Sequence, residues 1–293
     1  MPRYDHTSVR VKRRGLTVTG LALASALVLS GCSGAFSRGL LPHGVTDQSH
    51  LITSLWTSSW LAALGVGVLV WGLIFWCVVA YRRGKDDVGL PVQLRYNVPI
   101  EILYTVVPLF MIAVLFFYTA RDETAVLSTT QKPDVTVNVV GKQWSWDFNY
   151  INAGTFESGT QAELTGQPGV AATLPALYLP VNRRVEFVLT ARDVIHSFWV
   201  PQFLMKMDML PGKVNRFQIR PTEIGTFQGK CAELCGTYHS QMLFQVKVVS
   251  QADFDAHMLA LKAAGNVGML DNSLSRSKIE SGDQQYVPKP GGN

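Results

Sequence analysis

From Leu51 to Ala80 the chain runs without a single charged residue. That is longer than the roughly 20 residues a helix needs to cross the hydrocarbon core of a bilayer. In hydrocarbon the backbone must satisfy its own hydrogen bonds, so an isolated span has to be helical. Trp56 and Trp60 lie towards the start of the run, and Trp76 and Tyr81 towards its end, where aromatic side chains anchor at the interfaces. Arg82, Arg83 and Lys85 follow at once, with Asp86 and Asp87 beside them. Clustered positive charge in a short loop places residues 82–97 on the cytoplasmic side. A second apolar run, residues 98–120, ends at Arg121; Pro99 opens it, and Pro108 within it predicts a kink. Everything after Arg121 then lies outside the membrane. Glu101, near the cytoplasmic end of this second span, has two readings of equal weight on position alone. It snorkels to the interface, or it serves a proton path.

Ahead of the spans, residues 1–31 hold five basic residues against Asp5, a net of +4 (5 − 1) out of the +5 of the whole chain. The remainder is therefore near +1 (5 − 4), and the basic balance gives no reason to invoke nucleic acid. A charged start, a short apolar run over residues 16–30 and small residues at its end make a secretory signal. The run ends Leu29-Ser30-Gly31-Cys32, which resembles the bacterial lipoprotein box. Residues 1–31 are then a removed signal peptide, and Cys32 is the lipidated (palmitate-bearing) N-terminus of an extracytoplasmic segment, residues 32–50. This agrees with the orientation read from the loop charges.

From Val135 the pattern changes to strands. Alternating or β-prone runs occupy residues 135–140, 142–150, 177–181, 184–190, 194–200, 214–219, 226–230 and 242–249, punctuated by Gly, Pro and Asn. Such a series predicts a sandwich or barrel rather than a doubly wound fold. Residues 152–172 read as a surface loop, residues 251–264 as a short helix, and the tail from Gly265 as mobile.

The stretch Cys231-Ala-Glu-Leu-Cys235-Gly-Thr-Tyr-His239-Ser-Gln-Met242 gathers two thiols, an imidazole and a thioether. Soft sulfur with imidazole favours copper, zinc or iron–sulfur chemistry. Zinc takes Cys, His and carboxylate; a weak Met ligand beside Cys and His is a copper habit. Taken alone, the two thiols favour a disulfide, and Met242 reads as core; His239 and Met242 at this spacing weigh against the disulfide. His196, in Asp193-Val-Ile-His-Ser-Phe-Trp-Val-Pro, adds a distant imidazole from a strand. A mononuclear blue site uses one Cys and two His; here two thiols are available, enough to bridge two copper ions. Cys77 reads as a packing residue inside the first span.

With these residues in view, the chain resembles subunit II of haem–copper cytochrome c oxidase, of a bacterial, actinobacterial aa3 type. The resemblance implies a two-helix transmembrane hairpin (residues 51–81 and 98–120) followed by a cupredoxin-like Greek-key β-sandwich (residues 121–250), in a plasma membrane. It implies a binuclear copper A centre. Cys231 and Cys235 bridge two Cu ions, His196 and His239 bind one each, Met242 binds one, and Glu233 binds the other through its carbonyl. The Glu233 side chain would help hold a Mg²⁺ shared with subunit I. Gly141-Lys-Gln-Trp144-Ser-Trp146 matches the family's electron-entry pattern at Trp144, with Trp146 kept as core. Glu101 followed by Val107-Pro108 is similar to the family's proton-uptake pattern.

The resemblance also implies partners: subunits I and III, with haem only in subunit I, and a cytochrome c donor. Asp147, Glu157, Asp193, Asp208 and Glu223 are candidate docking acids, interspersed with Lys206, Arg216 and Arg220. With a mature charge near +1, a donor held in a membrane-bound cytochrome cc of a supercomplex is expected. The chain carries no catalytic residue for oxygen chemistry. A quinol oxidase subunit II would lack the copper ligands. A membrane-anchored zinc or disulfide-stapled domain would leave Met242 and the Trp-rich strand unexplained.

Overall fold

The computed structural model describes residues 33–84, 89, 93–162 and 173–273. The signal peptide and Cys32 lie outside the described residues. The chain divides into two compact units, residues 1–42 and 43–293. In the first, the described part is a short helix, α1 (Ser33–Ser37), closed by the Leu40 N–H donating to the Ala35 carbonyl at 2.8 Å.

The second unit opens with α2 (Ser49–Ala80) and α3 (Val98–Val126), both long and apolar enough to cross a membrane. At 1.5 Å per residue, α2 is about 48 Å long. Apolar residues all round rather than on one face leave Val68, Trp71, Phe110 and Phe116 exposed, as suits helices solvated by lipid or by a partner. The Asn97 side chain caps α3 by accepting from the Ile100 N–H, and Pro108 lies inside the helix. Both helices outrun the apolar stretches: α2 starts before residue 51, and α3 continues past residue 120 through Arg121, Asp122 and Glu123. Helix geometry does not end where the bilayer does, and Arg121 and Asp122 pair at 2.8 Å on the last turns.

The rest is a sandwich of two five-stranded sheets. One holds β3 (Thr155–Ser158), β2 (Ser145–Tyr150), β1 (Val135–Lys142), β5 (Val185–Ala191) and β8 (Asn215–Ile219), in that order. The other holds β4 (Ala176–Pro180), β10 (Leu243–Val249), β9 (Gly225–Cys231), β6 (His196–Val200) and β7 (Met205–Met209). The β1–β5 and β4–β10 pairs are parallel and the others antiparallel. In β10, Phe244, Val246 and Val248 are buried on alternate positions, the period-2 pattern of a strand with one face on a core. Aromatic rings fill the space between the sheets: Phe187 stacks on Phe217 at 4.7 Å, and Phe244 lies 4.9 Å from Trp146 and 5.1 Å from Phe198. Helix α4 (Gln251–Ala263), capped by Ser250, buries Phe254, Met258 and Leu261, a spacing that forms one helical face.

Three expectations are corrected. The run 142–150 is not one strand; it turns at Gln143 and Trp144 and divides between β1 and β2. Thr155–Ser158 is a strand at the edge of a sheet, not loop. The tail stays attached beyond Gly265. The Phe156 N–H donates to the Asn266 carbonyl and the Gly268 N–H to the Gly154 carbonyl. The Leu270 N–H reaches Asn149 Oδ1 at 2.8 Å, and Asn272 Nδ2 reaches Asn138 Oδ1 at 3.1 Å. Asn138 and Asn149 are fully buried, and buried amides need partners; the tail adds to those from β5 and from each other.

Candidate metal centre

The site lies where β6 begins and β9 ends. His196 is the first residue of β6 and Cys231 the last of β9, and the two strands pair directly, Phe198 opposite Cys231. The chain then loops and returns through one 3₁₀ turn (His239–Gln241) into β10. This loop brings Cys235, His239 and Met242 back over Cys231.

The donor atoms form a continuous chain of contacts. His196 Nδ1 lies 3.9 Å from Cys231 Sγ, which lies 3.8 Å from Cys235 Sγ. Cys235 Sγ lies 3.5 Å from His239 Nδ1 and 3.7 Å from Met242 Sδ. Cys231 Sγ–H donates to the Glu233 carbonyl at 3.2 Å. The thiols are free, so the disulfide reading is not the arrangement seen. The ligand atoms of His196, Cys231 and Cys235 all lie within 4.8 Å of one another, and all three residues are buried. Two thiols, two imidazoles, a thioether and a carbonyl gathered in one place suit a soft metal, and the donor set fits a copper pair.

Burial and close neighbours set the electrostatics of the donors. Burial lowers the basicity of His196, but Asp193 Oδ1 at 2.7 Å from its Nε2, with Cys231 behind, raises it overall. Burial raises Asp193, yet His196 and the N–H groups of Gln143 and Val194 outweigh it and the carboxyl is lowered. Burial likewise raises Cys231, but His196, Glu233 and Ser197 turn the net shift downward. Cys235 is pushed up to about 12 by burial and by the neighbouring Cys231 sulfur.

The hairpin between β1 and β2 closes over this loop. The Gln143 N–H donates to Asp193 Oδ2 at 2.7 Å, and Gln143 Nε2 donates to the Cys235 carbonyl at 2.8 Å. Half-buried Trp144 donates its indole N–H to the same carbonyl at 3.2 Å and meets Tyr238 edge-on at 5.0 Å. Two glycines make the fit possible. A Cβ on Gly141 would sit 2.9 Å from His196 Cδ2. A Cβ on Gly236, whose φ is +123°, would meet Gln143 and Trp144 at 3.1 Å. Trp146 is fully buried, and its indole N–H also donates to the Met242 carbonyl at 3.2 Å.

Sequence reasoning missed the roles of Gln143 and Asp193. Asp193 was a candidate docking acid; the structure gives it to His196. A buried imidazole flanked by a carboxylate three residues earlier was the available signal. Asp147 is also removed from the docking surface. It is 1 % exposed and held by Lys142 at 2.6 Å and by Ser158, on the face of β2 opposite core residues Trp146 and Phe148. Glu157 accepts from the Ala176 N–H and pairs with His257, and Glu223 pairs with His43. Asp208 lies 3.7 Å from Lys206. Glu101 stands apart from the cluster, in the first turn of α3, where its Oε1 accepts from the Asn97 N–H at 2.9 Å.

Residues 135–249, from the start of β1 to the end of β10, match the family model described as cytochrome c oxidase subunit II, periplasmic domain. A probable cytochrome c oxidase subunit 2 of Streptomyces avermitilis is 46% identical over 94% of this chain and 96% of its own length. The chain belongs to the cytochrome c oxidase subunit II family. Cytochrome c oxidase subunit 2 of Mycobacterium tuberculosis is 36% identical over 84% of this chain and 81% of its own. The crystal structure of the periplasmic domain of subunit II of cytochrome oxidase from Bradyrhizobium japonicum matches at 30% identity and TM-score 0.42, over 46% of this chain and 99% of that one. As a subunit II, the chain is a component of the oxidase and works in a complex with other oxidase subunits. Two helices long and apolar enough to cross a membrane, followed by a match to a periplasmic-domain family, fit a membrane protein with an extracytoplasmic domain.

Proposed function

We propose that this chain is the electron-entry subunit of the oxidase, taking electrons from a cytochrome c and handing them to haem a of subunit I, where O₂ is reduced to water and protons are pumped. The observation that carries it is the unbroken line of contacts from His196 through both thiols to His239 and Met242. These residues, with the Glu233 carbonyl, would hold the two Cu ions of a copper A centre. Bound there, the copper pair supplies one-electron storage shared over soft ligands. Asp193 orients His196 and keeps its Nδ1 facing Cys231. Burial of His196, Cys231, Cys235 and Met242 excludes water from the donors.

Trp144 is the entry point: it is half-buried at the domain surface and hydrogen-bonded to the backbone of a bridging cysteine. The Glu233 side chain would meet subunit I and share its Mg²⁺. Glu101, the acid of the second span, is the proton-path candidate, although its present contact is a helix-capping one. Cys32 carries the lipid anchor. Several candidate docking acids are engaged within the fold, which supports a donor tethered in a supercomplex over one steered by long-range charge.

Electron paramagnetic resonance with metal analysis on the purified oxidase tests the centre. Hyperfine lines from one electron shared over two coppers are expected. A spectrum without them and one zinc per chain would overturn the reading. Mass spectrometry of the mature N-terminus tests Cys32, and an unmodified thiol there would remove the anchor.

A further inference from the structure

Two linkers tie the sandwich to the membrane helices, residues 43–48 before α2 and residues 127–134 after α3. Both are pinned at the turn between β4 and β5. The Arg184 guanidinium pairs with Asp47 Oδ2 at 3.0 Å. The Arg184 N–H donates to Asp134 Oδ2 at 2.8 Å, and its carbonyl accepts from the Asp134 and Val135 N–H groups at 2.8 and 3.2 Å.

The first linker has further fastenings. Asp47 Oδ1 accepts from the Arg220 N–H at 2.9 Å, and the Asp47 N–H donates to the Arg220 carbonyl at 3.0 Å. Val45 is buried in the sandwich core, and its carbonyl accepts from the Thr222 N–H at 2.9 Å. Helix α2 starts two residues after Asp47, and the Asp47 carbonyl meets His50 Nδ1 at 2.8 Å within its first turn. The second linker is also held by Gln218, buried in β8, whose Nε2 reaches the Thr129 and Gln131 carbonyls.

We propose that Asp47 and Arg184 form a clamp that sets the orientation of the metal domain over the membrane helices, and that both are positioning residues for electron transfer to the partner subunit. The proposal rests on the electron-entry reading above. Charge-assisted bonds between a planar guanidinium and a carboxylate are directional. This pair is largely shielded from solvent, at 11% and 26% side-chain exposure, so it keeps more of its strength than a surface pair. Helix α2 cannot swing against the sandwich without straining the Asp47 contacts to Arg184 and Arg220, while α3 is tied through Gln218 and the Asp134 contacts to Arg184. Electron transfer falls steeply with distance, and a site off by about 1 Å loses much of its rate. The centre is carried by β6, β9 and their loop, so a domain free to rock would carry it away from a fixed acceptor. Asp47 lies in none of the segments that bear the metal ligands, so the clamp can be loosened without touching them.

The test uses the intact oxidase with Asp47→Ala and, separately, Arg184→Lys. Copper content and the paramagnetic spectrum report the site. The rate at which a photochemically delivered electron leaves the site for the partner subunit reports position. Hydrogen exchange at the Asp47 and Thr222 amides reports the clamp. For Asp47→Ala we expect an unchanged spectrum, faster exchange at both amides and an internal transfer rate lowered several-fold; Arg184→Lys, which keeps the charge, should lose less. An unchanged transfer rate alongside faster exchange overturns the positioning role. Loss of the copper signal in Asp47→Ala also overturns it, because Asp47 would then be a folding residue. Absence of the signal in the unsubstituted oxidase would instead sink the copper reading.

Discussion

The indole N–H of Trp144 and the carbonyl oxygen of Cys235 are hydrogen-bonded at 3.2 Å. An aromatic ring reaching the domain surface is thereby joined, through one backbone bond system, to a sulfur at the centre of the donor cluster. Trp144→Phe keeps a ring and removes the donor. The copper spectrum is expected to persist, because Gln143 still holds the Cys235 carbonyl. Stopped-flow oxidation of reduced cytochrome c should slow, with Trp144→Ala slower still. Equal rates in all three proteins would remove Trp144 from the path.

Asp193 orients His196 through its Nε2. Partners of this kind are worth about 10–100-fold in metal affinity. Asp193→Ala is expected to weaken copper retention by that order in competition with a chelator, and to alter the hyperfine pattern through a freed imidazole. It also frees the Gln143 N–H, so the entry hairpin should exchange its amides faster.

Metal-free protein should show the raised Cys235 directly. Its ordinary value is 9.0 and burial with the Cys231 sulfur pushes it to about 12. A thiol raised in the folded state stabilises the fold below its unfolded value, and that contribution is lost as pH climbs from 9.0 towards about 12. Melting of the metal-free protein is therefore expected to fall across this alkaline window. Copper uptake at neutral pH should release protons, since the bound thiol must ionise. Calorimetry in buffers of different ionisation enthalpy reads the number released. Uptake with no proton release would contradict the assignment of Cys235 as a ligand.

The tail contributes stability away from the metal. Ending the chain at Gly265 removes the Leu270 and Asn272 partners of Asn149 and Asn138. Leaving buried polar groups unpaired costs about 1–3 kcal/mol. The melting temperature should drop accordingly while the copper spectrum stays unchanged.

Sequence by itself determined the parts of this protein that depend on local composition and spacing. An uncharged run such as Leu51–Ala80 has few alternatives to a spanning helix, because hydrocarbon offers no partner for a bare peptide group. The alternation in residues 242–249 is visible as β10 for the same kind of reason. The candidate metal ligands were legible because the loop from Cys231 to Met242 carries most of them close together in the chain, and soft donors at that spacing have few other uses. Tertiary structure decided what depends on pairing across distant segments. Strand pairing set Asp147 against Lys142 and left it 1 % exposed, away from any docking surface. It set Gly141 against the His196 ring and Gln143 between Asp193 and Cys235. It brought Asp47 to Arg184, across 137 positions (184 − 47). Nothing in the residues near any of these marks the partner, since hydrogen-bond and ion-pair energies depend on geometry that exists only once the sheets have closed.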